Sequence, residues 1–178
     1  TLPDAIEGAT LELSGPEGVV VRLSRRGEQL RIDNGPLTLV LRDDGTAFAR
    51  DGDLLREPSA EERAKLERIR RCNPLLRPAA GRRALCAEGL LVGGTMVGNR
   101  PAYRVRVPGD GELEVWLFFD GSAAGCRYRD PVQKALVELR RDGERSSVVL
   151  DGELAAGWSI AATDESAPPS ELFARPNS

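Results

Sequence analysis

Between residues 10 and 50 apolar side chains recur at every second position, and glycine-bearing turns interrupt the recurrence at short intervals. Period two dictates strand, because successive side chains on an extended chain point to opposite faces. Val19, Val21 and Leu23 share one face opposite Arg22 and Ser24, and Leu30 and Ile32 alternate with Gln29, Arg31 and Asp33. Leu37, Leu39 and Leu41 line the next segment. Gly15-Pro16-Glu17-Gly18, Asn34-Gly35 and Asp43-Asp44-Gly45 supply the reversals, Asn-Gly because both residues tolerate positive φ. The pattern resumes with Tyr103, Val105 and Val107, and then with Leu113, Val115, Leu117 and Phe119 on one face and Trp116 and Phe118 on the other. A strand apolar on both faces is expected to be central and covered twice. Residues 126–129, 135–140 and 146–150, with Asp142-Gly143 as a hairpin turn, complete a second meander.

One helix separates the two meanders. Ser59 and Glu62 form an S-x-x-E capping box, which satisfies two orphan backbone donors at a helix start. The helix is expected to stop near Cys72, because Asn73 precedes Pro74 and the residue before proline avoids the α region. Leu66, Ile69 and Cys72 form its apolar stripe. Residues 84–87 add a helical turn before Gly89, Gly93 and Gly94. The expected fold class is α+β: a strongly curved antiparallel β-sheet, a half-barrel, with a helix packed against its concave side. A single domain over 1–162 would carry the helical insertion near 59–87, and 163–178, with Pro168-Pro169, would be a loose C-terminal tail. One helix cannot hide so much apolar sheet. The hollow is then filled by a second element, a partner or an apolar ligand, or else the core simply closes.

Composition removes several chemistries. Histidine is absent, so Ser-His-Asp and Cys-His catalysis and histidine-ligated metal sites are excluded within the chain. Aromatic residues make up 4%, too few for stacking platforms, and the net charge is −3, so nucleic acid is not expected as a partner. No apolar run approaches the roughly 20 residues of a membrane helix, and membrane contact is expected to be peripheral only. Residues 1–15 lack the charged and apolar regions of a signal peptide. The start at Thr1 suggests processing or trimming and leaves a secreted origin open. Cys72, Cys86 and Cys126 are an odd set, so at least one thiol is unpaired in a monomer, and Cys72 and Cys86 are either bridged or buried as thiols. The adjacent carboxylates Asp43/Asp44, Glu61/Glu62 and Asp164/Glu165 suit caps and turns. The stretches 93–98 and 121–125 lack the remaining residues of a phosphate loop or a nucleophile elbow and read as turns. No cofactor, no metal and no catalytic residue is expected.

The strongest charge cluster is Arg63, Lys65, Arg68, Arg70, Arg71, Arg77, Arg82 and Arg83, eight cations against the single Glu67. It reads either as a solvated helix face or as a patch for an anionic partner.

Gly98-Asn99-Arg100-Pro101-Ala102-Tyr103-Arg104-Val105-Arg106-Val107, followed by Leu113-Glu114-Val115-Trp116-Leu117-Phe118-Phe119-Asp120-Gly121, resembles the paired strands of the LolA-like family of periplasmic lipoprotein carriers and its relatives in envelope stress sensing. The resemblance implies an unclosed barrel cupped around helices, an apolar cavity for acyl chains, no catalytic residues, and a periplasmic or otherwise extracytoplasmic location. The function expected is that of a non-enzymatic envelope protein binding lipid or acylated protein. Leu37, Leu39 and Leu41, with Trp116 and Phe118, would line the hollow, and Arg68, Arg70 and Arg71 would meet headgroups. The alternative is a protein–protein interaction module that docks another envelope protein without a small ligand.

Overall fold

The computed structural model describes residues 6–77, 79–109, 112–142 and 145–177. The first meander gives β1 (Gly8–Ser14), β2 (Val20–Arg26), β3 (Gln29–Asn34), β4 (Leu37–Leu41), β5 (Ala47–Asp51) and β6 (Leu54–Arg56). Helix α1 (Ala60–Cys72), a 3-10 turn (Pro74–Leu76) and α2 (Ala79–Ala87) follow. The second meander gives β7 (Leu90–Val97), β8 (Arg100–Arg106), β9 (Glu114–Phe118), β10 (Ala123–Arg129), β11 (Leu136–Asp142), β12 (Arg145–Leu150) and β13 (Glu153–Leu154). β14 (Ser159–Asp164) then crosses back to pair with β1. Among the described residues the strands form two antiparallel sheets of seven, ordered β14-β1-β2-β3-β4-β5-β6 and β13-β12-β11-β10-β9-β8-β7.

This overturns the curved half-barrel and the α+β assignment. Among the described residues those in strands far outnumber those in helices, and neither sheet is closed or strongly curled. The reason lies where β11 and β12 approach β14 through side chains. Ser146 Oγ accepts from the Ile160 amide (2.7 Å) and donates to the Ile160 carbonyl (3.2 Å), and Arg141 Nη1 donates to Thr163 Oγ1 (2.6 Å). The two sheets therefore shield each other. Leu11, Leu23, Leu30, Leu39 and Leu41 of the first share one core with Val115, Cys126, Tyr128, Leu139 and Val148 of the second.

Helix α1 joins that core along the expected stripe, with Leu66, Ile69 and Cys72 buried. It contacts β3 and β4 on one side and β10 on the other, and the 3-10 turn after it touches β1, β2 and β10. The capping box is formed: the Glu62 amide donates to Ser59 Oγ (3.1 Å) and the Ser59 amide to Glu62 Oε1 (2.9 Å). At the other end the Asn73 side chain accepts from the Leu75 amide (3.0 Å), which starts the 3-10 turn where the proline stops the helix.

Two glycine-rich stretches read as turns are largely strand. Residues 93–97 belong to β7, which bulges between Leu91 and Gly93 against β8. Ala123 to Gly125 open β10, where Gly125 takes φ +154° and a Cβ would lie 1.9 Å from the Leu139 carbonyl oxygen. Only glycine lets the two backbones approach that closely. Gly143 of the expected hairpin turn and Gly111 lie outside the described residues. Thr163 and Asp164 end β14, and Phe173 is buried against Val40 and Phe48 on the outer face of the first sheet.

Glu62 also accepts from Arg56 (2.7 and 3.1 Å), and this pair, with the Ser59 contacts, holds its carboxyl down at about 2. A depressed carboxylate stabilises the fold above its unfolded pKa, and that stability is lost as pH falls toward the folded value. Glu62→Gln is expected to cost about 2 kcal/mol at pH 7. In urea titrations the gap to the parent protein should close between pH 4.5 and pH 2.

Candidate functional site

The inner faces of the two sheets do not meet everywhere. Beside α1 they leave a cleft of about 430 Å³. Its walls are aliphatic side chains that period two sends inward: Leu23 and Ile32 from the first sheet, Ile69 from α1, and Val137, Leu139 and Val148 from the second. Leu13, Val21, Leu150 and Trp158 are half-buried and Val19 is exposed, which marks this end as the mouth. Trp158 lies against Gly15, where a Cβ would come within 2.8 Å of the indole, so glycine is required for the ring to sit there.

A small polar group interrupts the lining. Lys65 Nζ pairs with Asp130 (3.0 Å), whose side chain is 5% exposed. Burial pushes the Asp130 carboxyl up, but the Lys65 ammonium and the amides of Val132 (2.8 Å) and Gln133 (3.2 Å) outweigh it and leave it below the ordinary value. Tyr128 beside it is buried, and burial raises its phenol well above the usual range. The cleft thus combines aliphatic walls with the Lys65–Asp130 pair and the polar side chains of Asn34, Tyr128 and Gln133.

On the adjoining face of α1 lies a second depression of about 400 Å³, lined by Arg68, Arg70, Arg71 and Arg77 with Glu28 and Glu67. The structure therefore brings the three predicted arginines together. Arg25 and Arg77 close the C-terminal end of α1: Arg77 Nη2 donates to the Arg70 (2.9 Å) and Arg71 (3.1 Å) carbonyls, and Arg25 Nη1 also donates to the Arg70 carbonyl. Burial, reinforced by nearby Arg77 and Arg70, pulls the Arg25 guanidinium down to about 10.

The predicted apolar residues are divided. Leu39 and Leu41 are sealed in the shared core, and Leu37 packs against it half-buried. Trp116 and Phe118 sit on the opposite face of the second sheet with Val97, Ala102 and Ala124. The Arg100 guanidinium covers Phe118 at 3.9 Å, and Arg140 lies over Trp116 at 5.2 Å. None of these five residues lines the cleft. Sequence reasoning missed Trp158 and β14 altogether. It did place Val137 and Val148 on strands, but strand alternation alone does not say which faces oppose one another.

Cys72, Cys86 and Cys126 are free thiols. Among the described residues no cluster of histidine, cysteine or carboxylate side chains suits a metal ion, and no helix is long and apolar enough to cross a membrane. In comparisons with known proteins, no family model and no curated protein matches the chain.

The outer face of the second sheet rests on Glu114, whose side chain is fully buried. Arg104 reaches it at 2.7 and 2.9 Å, Arg127 pairs with it closely, and Trp116 Nε1 lies 3.5 Å away. Burial pushes its carboxyl up, but the two guanidinium groups prevail and hold it below the usual range. Glu114→Ala leaves two arginines uncompensated and is expected to cost roughly 3–5 kcal/mol in urea denaturation.

Proposed function

We propose that the protein binds an acyl chain, carried by a lipid or an acylated protein, in the cleft between its sheets, and serves as a non-enzymatic, extracytoplasmic carrier or sensor. The observation that carries this reading is the aliphatic cleft of about 430 Å³ with its half-buried mouth. A volume in this range, walled mainly by aliphatic side chains, suits a small apolar ligand. The similarity of the 98–121 strand pair to LolA-like carriers points to the same ligand class.

Trp158 borders the cleft and Trp116 lies on the other side of the second sheet, so the two indoles report on different places. A bromine-labelled fatty acid is expected to quench Trp158 saturably. Trp158→Phe should abolish the quenching, and Val21→Phe with Leu150→Phe should weaken it at least about tenfold by filling the mouth. Quenching that persists in Trp158→Phe, or none in the parent protein, refutes the reading.

A second reading, a docking module, has its own support at β7. This edge strand carries no charge from Leu90 to Val97, and on it and its neighbours Leu91, Met96, Tyr103 and Phe119 are exposed, the last two with rings stacked at 4.5 Å. An uncharged edge strand of this kind suits pairing with an extended, uncharged strand from another protein. Leu91→Lys with Met96→Lys is expected to abolish capture of such a peptide in pull-down assays while leaving acyl-chain quenching unchanged.

A further inference from the structure

We propose that the depression at the C-terminal end of α1 binds a phosphoryl oxyanion, held by Arg71 and Arg77. Four arginines line it against two glutamates, although the chain as a whole is acidic. The glutamates are engaged: Glu67 with Arg70 (2.7 Å) and Glu28 with Arg25 (3.2 Å). Among the described residues Arg71 and Arg77 donate only to neutral carbonyls, Arg71 Nη2 to that of Pro108 (2.6 Å) and Arg77 Nη2 to those of Arg70 and Arg71.

Those contacts position the guanidinium groups without cancelling their charge. A guanidinium has five N–H donors in a planar fork, and each of these two has donors left over. Arg77 Nε is buried and makes no hydrogen bond among the described residues. Burial lowers the Arg77 pKa against the opposing pull of Glu28, so its charge is held at a cost that a closely placed anion would relieve. A guanidinium fork can engage two phosphoryl oxygens at once. The helix end itself would repel an anion, but Arg25 and Arg77 already occupy its carbonyls and bring two positive charges there.

The anion can be free phosphate or a lipid phosphate, and calorimetry with inorganic phosphate at constant ionic strength, alongside sedimentation with phosphatidylcholine vesicles with or without phosphatidic acid, separates the two. Saturable phosphate binding is expected, at least tenfold weaker in Arg71→Gln and Arg77→Gln and unchanged in Arg50→Gln, a remote surface arginine. Arg71 is exposed, so its variant tests the site even if Arg77→Gln unfolds. Arg71-dependent vesicle binding without phosphate binding assigns the anion to a headgroup and upholds the site. Absence of Arg71-dependent binding in both assays, or equal loss in Arg50→Gln, overturns it. Quenching of Trp158 by the fatty acid stays unchanged in these variants, so this result and the acyl-chain reading stand or fall separately.

Discussion

Two apolar sheet faces are buried against each other, and α1 is wedged between them at one side. Each inward aliphatic side chain that loses its water contributes about 1.5–3 kcal/mol, so mutual coverage of the sheets is the dominant favourable contribution to this fold. The wedge prevents complete closure. Where Ile69 and Lys65 face the gap, the sheets stand apart and the cleft results; where Leu66 and Cys72 fill the space, the interior closes. The hollow is therefore a consequence of helix placement between the two sheets, neither of which is closed or strongly curled.

The two faces of α1 also divide its chemistry. Positions 65 and 69 look into an apolar space, while 64, 67, 68 and 71 border the arginine-lined one. That division follows from 3.6 residues per turn, which sets positions one apart on neighbouring faces. The helix ends differ as well. At its start Ser59 and Glu62 satisfy the free amides, and at its finish the carbonyls of Arg70 and Arg71 receive Arg25 and Arg77. Positive charge gathers at the finish because the helix dipole and the unsatisfied carbonyls favour it. The same arrangement that caps the helix thus collects cations beside an open depression.

How much of this was legible in the sequence differs by level. The capping box, the stop at Asn73-Pro74 and the Leu66, Ile69, Cys72 stripe were readable because each depends on neighbours within a few residues. The inward sets Val21 and Leu23, Leu30 and Ile32, and Leu113 and Val115 were readable for the same reason. The membership of the two sheets was not, since β14 returns to β1 across nearly the whole chain. Glycines at 93, 94 and 125 suggested turns because their freedom is visible locally, whereas the close approach of Leu139 that requires Gly125 is a long-range fact. Bringing Arg68, Arg70 and Arg71 together needed only the helix, while Arg25 and Arg77 joined them through tertiary packing.

Trp116 and Trp158 show why an apolar side chain is not by itself a ligand contact. Trp116 carries the larger apolar setting, yet Arg140 covers its ring, Glu114 engages its N–H and its neighbours are locked in a charged lattice. A ligand entering there would have to strip guanidinium groups from Glu114, leaving a buried charge uncompensated at a cost of several kcal/mol. Trp158 is only half-buried, faces aliphatic side chains of both sheets and has a glycine at its back. Apolar surface bordering a gap is stabilised by whatever fills that gap, and surface already sealed by ion pairs gains nothing. On that physical ground an apolar chain would gain more free energy on the inter-sheet side of the molecule than on its aromatic outer face.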